Sequence, residues 1–73
     1  MPLLSEVPIL DVRLTRNGKV RRWTISKWTM GWTCRYVNGL EVTIGGCSTL
    51  ELMEAKRQEW EAEIAAARAD GWT

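Results

Sequence analysis

Two Asn-Gly dipeptides, Asn17-Gly18 and Asn38-Gly39, each lie between short segments of alternating character. No other feature constrains this chain as strongly. Asn-Gly favours a tight hairpin because both central residues of a type I′ turn need positive φ, which Gly adopts freely and Asn tolerates. Segments joined in this way become antiparallel strands. Residues 9–15 alternate Leu10, Val12 and Leu14 with Asp11, Arg13 and Thr15. Residues 20–28 set Trp23 and Ile25 against Arg22, Thr24 and Ser26. After a turn at Thr29-Met30-Gly31, residues 32–37 alternate Trp32, Cys34 and Tyr36 with Thr33, Arg35 and Val37. Residues 40–44 then alternate Leu40, Val42 and Ile44 with Glu41 and Thr43. Four such segments predict an antiparallel meander with one apolar face.

The remainder reads as one helix. Gly45-Gly46 is expected to break the sheet, and Ser48-Thr49-Leu50-Glu51 has the form of a capping box. In that reading Ser48 is the N-cap, and Cys47 and Leu52 form a hydrophobic staple. The helix runs to about residue 69 and stops at Asp70-Gly71, where Gly can take the left-handed conformation. Leu50, Met53, Trp60, Ile64 and Ala67 make the apolar stripe, with Arg57 at its margin. The predicted fold is α+β, order ββββα, with the helix on the Leu/Val/Ile/Trp face. Residues 1–8 form an extended arm and residues 9–73 a single domain. Trp23, Trp32, Tyr36 and Trp60 are assigned to the core. The other face is expected to show Arg13, Arg22, Thr24, Ser26, Arg35 and Thr43.

A chain of 73 residues is near the lower limit for an unaided core, and its five Trp supply the apolar area. The chain has no His, so the usual general base at neutral pH is missing and no catalytic constellation emerges. Cys34 and Cys47 are too few and too far apart in sequence for a zinc site. Cys34 reads as a small buried hydrophobe, and pairing with Cys47 stays open. A non-catalytic protein with no metal and no cofactor is expected. The first residues lack the features of a secretory leader, and no apolar run approaches the roughly 18 residues of a membrane span, so a cytoplasmic location is expected.

Net charge is only +1, but it is segregated. Residues 1–44 carry seven Lys/Arg against three acids, and residues 45–73 carry three against six. A basic sheet joined to an acidic helix can bind an anion on one side, although an acidic helix can also be acidic merely to be solvated. The basic face is therefore the candidate site. Arg13, Arg22 and Arg35, with Lys27, would hold nucleic-acid phosphates, and Trp28 would offer a ring for base stacking. Trp28 could instead fold over the helix tip or the arm. The competing class is a protein-interaction module, such as a small adaptor or inhibitor carried on a mobile element, that docks through a sheet face or edge. Leu3, Leu4 and Val7 in the arm, and the sheet area one helix leaves uncovered, also point to a homodimer through the arm or a sheet edge.

From Arg21 onward the layout resembles the WGR domain, a small sheet-plus-helix module of DNA-break-responsive polymerases and bacterial proteins. The parallels are Arg22-Trp23-Thr24-Ile25-Ser26, Arg35-Tyr36-Val37-Asn38-Gly39, and a long Ala/Glu-rich helix ending in Asp70-Gly71-Trp72. Tyr36-Val37-Asn38 stands where that family has Trp-Gly-Arg. Four strands followed by one helix also resemble the single-stranded-DNA-binding transcriptional coactivator family. Both resemblances imply a nucleic-acid ligand through likeness of layout.

Overall fold

A computed structural model describes residues 7–73, with side chains from Ile9 onward. It contains β1 (Val7–Arg16), β2 (Lys19–Trp28), β3 (Gly31–Asn38), β4 (Glu41–Cys47) and α1 (Leu50–Ala69). The strands form one antiparallel sheet in the order β1-β2-β3-β4, and α1 lies across one face. The expected α+β fold is the one observed. Leu3 and Leu4 of the expected arm fall outside the described residues. Val7 and Pro8 are already paired in β1, opposite Lys27 and Ser26.

The first hairpin follows from its turn residues: Asn17 and Gly18 adopt φ values of 52° and 78° between the paired Arg16 and Lys19. The third hairpin differs by one position. Asn38 pairs with Glu41, so the loop is Gly39-Leu40, with positive φ only at Gly39. Glycine at the first central position is the type II′ pattern.

That hairpin decides the facing of β4. Cross-strand partners share a face, and the pairs are Val37 with Val42, Tyr36 with Thr43, and Arg35 with Ile44. Val42 and Ile44 therefore stand with Arg35 on the face away from the helix, and Thr43 turns toward it. This corrects the expected placement of both sets. β4 also continues through Gly45 and Gly46, which pair with Cys34 and Thr33, so the glycines do not break the sheet. Just beyond, the chain passes close to the β2–β3 turn. A Cβ on Gly31 would lie 2.5 Å from the Cys47 carbonyl oxygen, and Gly31 has φ +144°, so only glycine fits.

The N-cap of α1 is Thr49, not Ser48: its Oγ1 accepts from the Leu52 amide at 3.2 Å. Moving the cap by one residue dissolves the expected staple, and Leu50 and Leu52 are both exposed. The C-terminal end behaves as its glycine predicts. Gly71 has φ +106°, its amide donates to Arg68, and the Trp72 amide donates to Ala67, which is the Schellman arrangement. The Thr73 amide then donates to the Thr15 carbonyl, and Arg16 pairs with Asp70 at 2.8 Å, fastening the helix end to the first hairpin.

Between helix and sheet lies the core: Leu14, Trp23, Ile25, Cys34, Cys47, Met53, Trp60, Ile64 and Ala67. Trp23 and Ile25 are wholly buried, while Trp32, Tyr36 and Trp72 pack around the margin. Trp23, Tyr36 and Trp60 form a tilted aromatic series with centroid separations of 5.3 and 6.5 Å. Each such pair contributes about 0.5–1.5 kcal/mol beyond simple burial. Arg57 sits at the stripe's edge, as expected, in ion pairs with Glu54 and Glu61.

Candidate nucleic-acid interface

Strand pairing lays out the face opposite the helix in rows. One row runs Arg13, Arg22, Val37, Val42, and the next runs Asp11, Thr24, Arg35, Ile44. Ser26 and Thr33 form a hydroxyl pair below them, and Trp28 closes the end of β2. The β1–β3 part of this face forms a concavity of about 790 Å³, lined by Asp11, Arg13, Val20, Arg22, Thr24, Ser26, Trp28, Thr33, Arg35 and Val37. Trp28 is 42% exposed. It lies on this face, not over the helix tip.

Four of the five expected site residues therefore meet: Arg13, Arg22, Arg35 and Trp28. Lys27 does not join them. It shares strand parity with Trp23 and Ile25, pairs across the strand with Trp32, and sets its Nζ 4.9 Å from that ring's centroid. Lys27 belongs to the helix side of the sheet.

The three arginines are not equivalent. Arg13 and Arg22 face each other directly across β1 and β2, a like-charge pair that costs stability unless it is relieved. Asp11 relieves it. Arg22 Nε and Nη2 donate to the two carboxylate oxygens of Asp11, each at 2.9 Å. The hydrogen bond from Arg22 holds the Asp11 carboxyl below its ordinary value, burial opposes this, and the guanidinium charge adds a smaller lowering. The same bond raises Arg22. Among the described residues, Arg13 and Arg35 have no acidic partner. The face therefore offers two uncommitted guanidinium groups around one committed ion pair.

Three lining residues, Val20, Thr33 and Val37, were not among the expected site residues. Their signal was present, because the alternation that puts Arg22 and Arg35 outward carries these residues with it. The partnership of Asp11 with Arg22 was foreshadowed by the first Asn-Gly turn, which fixes the β1–β2 register.

On the helix side, Cys34 and Cys47 are free thiols with sulfurs 3.6 Å apart. Burial, then the hydrogen bond with Cys47, pushes the Cys34 thiol up to about 11. Among the described residues no group of three or more His, Cys, Asp or Glu is placed to hold a metal. No helix of the described chain is long and apolar enough to cross a membrane.

No protein-family model matches this chain, and no curated protein or solved structure does either. The likeness to WGR domains and to the coactivator family thus stands on order of elements alone, and the functional reading rests on the face itself.

Proposed function

We propose that this protein is a non-catalytic module that binds nucleic acid on the open face of its sheet. One observation carries the reading: Arg13 and Arg35, which have no acidic partner among the described residues, share a concavity with the hydroxyls of Thr24, Ser26 and Thr33 and with an exposed indole, Trp28. A guanidinium donates two parallel hydrogen bonds to a phosphate, and a flat ring stacks on a base of any identity. Those two chemistries suit a flexible strand laid across the sheet from Arg13 toward Trp28. A non-catalytic role agrees with a chain that lacks His and with an Asp11 carboxylate occupied by Arg22.

The test is titration of labelled single- and double-stranded oligonucleotides at two ionic strengths. With two or three phosphates engaged, log K for a single strand should fall with log salt at a slope of about −1.4 to −2.1. Arg13→Ala and Arg35→Ala should each reduce that slope by about 0.7 and weaken binding to all sequences alike. Trp28→Ala should lower affinity without changing the slope. Absence of binding at low salt, or a double arginine variant that binds like the parent, rejects the reading.

A second reading, contact with protein, is favoured by a different region. Val42 and Ile44 lie exposed on the edge strand β4, outside the basic concavity.

A further inference from the structure

The two edges of the sheet are guarded very differently. β1 carries Pro8, which has no amide hydrogen to donate, and a register irregularity between Pro8 and Leu10. Its face residues include Asp11 and Arg13, and the Thr73 amide occupies the Thr15 carbonyl. Proline, bulge, charge and a covering segment are the usual devices that stop a sheet edge from pairing with another strand. β4 has almost none of them. Its seven residues, Glu41–Cys47, contain one charge, no proline and no irregularity in register. Val42 is 48% exposed, Ile44 66%, and Leu40 at the turn wholly so.

We infer that β4 is a homodimer interface, in which the β4 strands of two copies pair antiparallel across a two-fold axis at Thr43 to make one eight-stranded sheet.

Self-complementarity singles out a second copy as the occupant. With Thr43 on the axis, Val42 faces the partner's Ile44, and Ile44 faces the partner's Val42. Two apolar cross-strand pairs then form from residues that otherwise stand in water. Glu41 faces the partner's Gly45, and Leu40 lies beside the partner's Gly46, so no side chain competes for space at either end. The two Glu41 residues sit four residues apart along the paired strands, about 14 Å at about 3.4 Å per residue. That exceeds the Debye length of about 8 Å at physiological salt, so their repulsion is screened. An axis at Val42 would halve this separation, and one at Ile44 would leave Val42 opposite Gly46. The Thr43 register alone keeps both apolar pairs and separates the charges. It also joins the two open faces edge to edge without using Arg13, Arg35 or Trp28.

Sedimentation equilibrium on the full chain, from low to high micromolar concentration, tests the dimer. Val42→Lys tests the edge. Position 42 is exposed, so the fold should survive, as far-UV circular dichroism will show, while two lysines would meet beside the axis. The expected result is a reversible monomer–dimer equilibrium in the parent and a monomer in the variant. Amide exchange supplies a measurement that needs no substitution: alternate amides of β4 should become slower to exchange as parent concentration rises. A parent that stays monomeric at high micromolar concentration overturns the inference and leaves β4 for a strand of another protein. A dimer unchanged by Val42→Lys, or β4 exchange independent of concentration, overturns it as well. Oligonucleotide binding by the variant monomer is a separate readout, because the substitution spares the arginines proposed to hold phosphate.

Discussion

Arg21 and Arg22 are neighbours in sequence and occupy opposite worlds. Arg21 points to the helix side, where its guanidinium lies 4.8 Å from the Trp23 ring centroid, 5.7 Å from Tyr36 and 5.2 Å from Trp72. Its Nε donates to the Tyr36 hydroxyl at 2.8 Å. Arg22 points to the open face, where its main partner is the half-exposed carboxylate of Asp11. One cation clamps aromatic rings at the margin of the core, and the other keeps a like-charged neighbour tolerable in solvent. The difference teaches that positive charge on this sheet has two uses. Counting lysines and arginines along the chain cannot separate them, and strand parity can.

The contrast can be broken most severely at Trp23, which is wholly buried and donates from Nε1 to Glu63 at 3.2 Å. Trp23→Ala should cost about 3–5 kcal/mol by loss of burial and creation of a cavity. A domain of this length has a total stability of about 4–11 kcal/mol, so much of the chain should unfold at ambient temperature. Thermal or urea denaturation followed by circular dichroism measures this. A loss below about 1 kcal/mol would mean that the helix side is not the core.

A smaller effect is expected at Arg21. Arg21→Ala removes a partly desolvated cation from three rings and a hydrogen bond from Tyr36, together worth about 1–2 kcal/mol. Oligonucleotide affinity should be nearly unaffected, since Arg21 faces away from the proposed site. A variant of unchanged stability but weakened nucleic-acid binding would reverse the roles assigned to the two faces.

The smallest change in stability is expected at Asp11. Its carboxyl is held low in the folded state, so the ion pair stabilises in full above the unfolded carboxyl value of about 3.9. That contribution is lost as pH falls through the lower folded value. Asp11→Asn should flatten this acid limb of the stability curve and change little at pH 7, because an exposed ion pair contributes little. Binding should respond more clearly. Release of Arg22 gives the face a third uncommitted cation, which should tighten oligonucleotide binding and steepen the salt slope by about 0.7. Weaker binding in Asp11→Asn would show that Asp11 itself contacts the ligand.

Much of this architecture could be read before any coordinates. Alternation in four segments, the positive-φ demand of Asn17-Gly18 and the stripe through Met53, Trp60, Ile64 and Ala67 are local or periodic signals, and each corresponds to an observed element. The face of β4 was read from hydrophobicity, although a two-residue loop carries alternation across the turn. Val42 and Ile44 had to follow Val37 and Arg35. The same arithmetic moves Lys27 to the side of Trp23. At the cap, Ser48 and Thr49 are chemically equivalent candidates, and the path of the chain out of β4 selected Thr49.

By itself, then, the sequence determined which segments are strand or helix, where the chain turns, and which residues share a face within each strand. These depend on φ preferences and on periods of two and 3.6, and act over a few residues. Only the tertiary structure decided that Arg21 is clamped by Trp72 from the far end of the chain and that Arg16 meets Asp70. It likewise decided that Cys34 and Cys47 lie sulfur to sulfur within the core. Each of these contacts depends on the path α1 takes across the sheet. That path is chosen collectively by the packing of Met53, Trp60, Ile64 and Ala67 against Leu14, Trp23 and Ile25, and no single stretch of the chain encodes it.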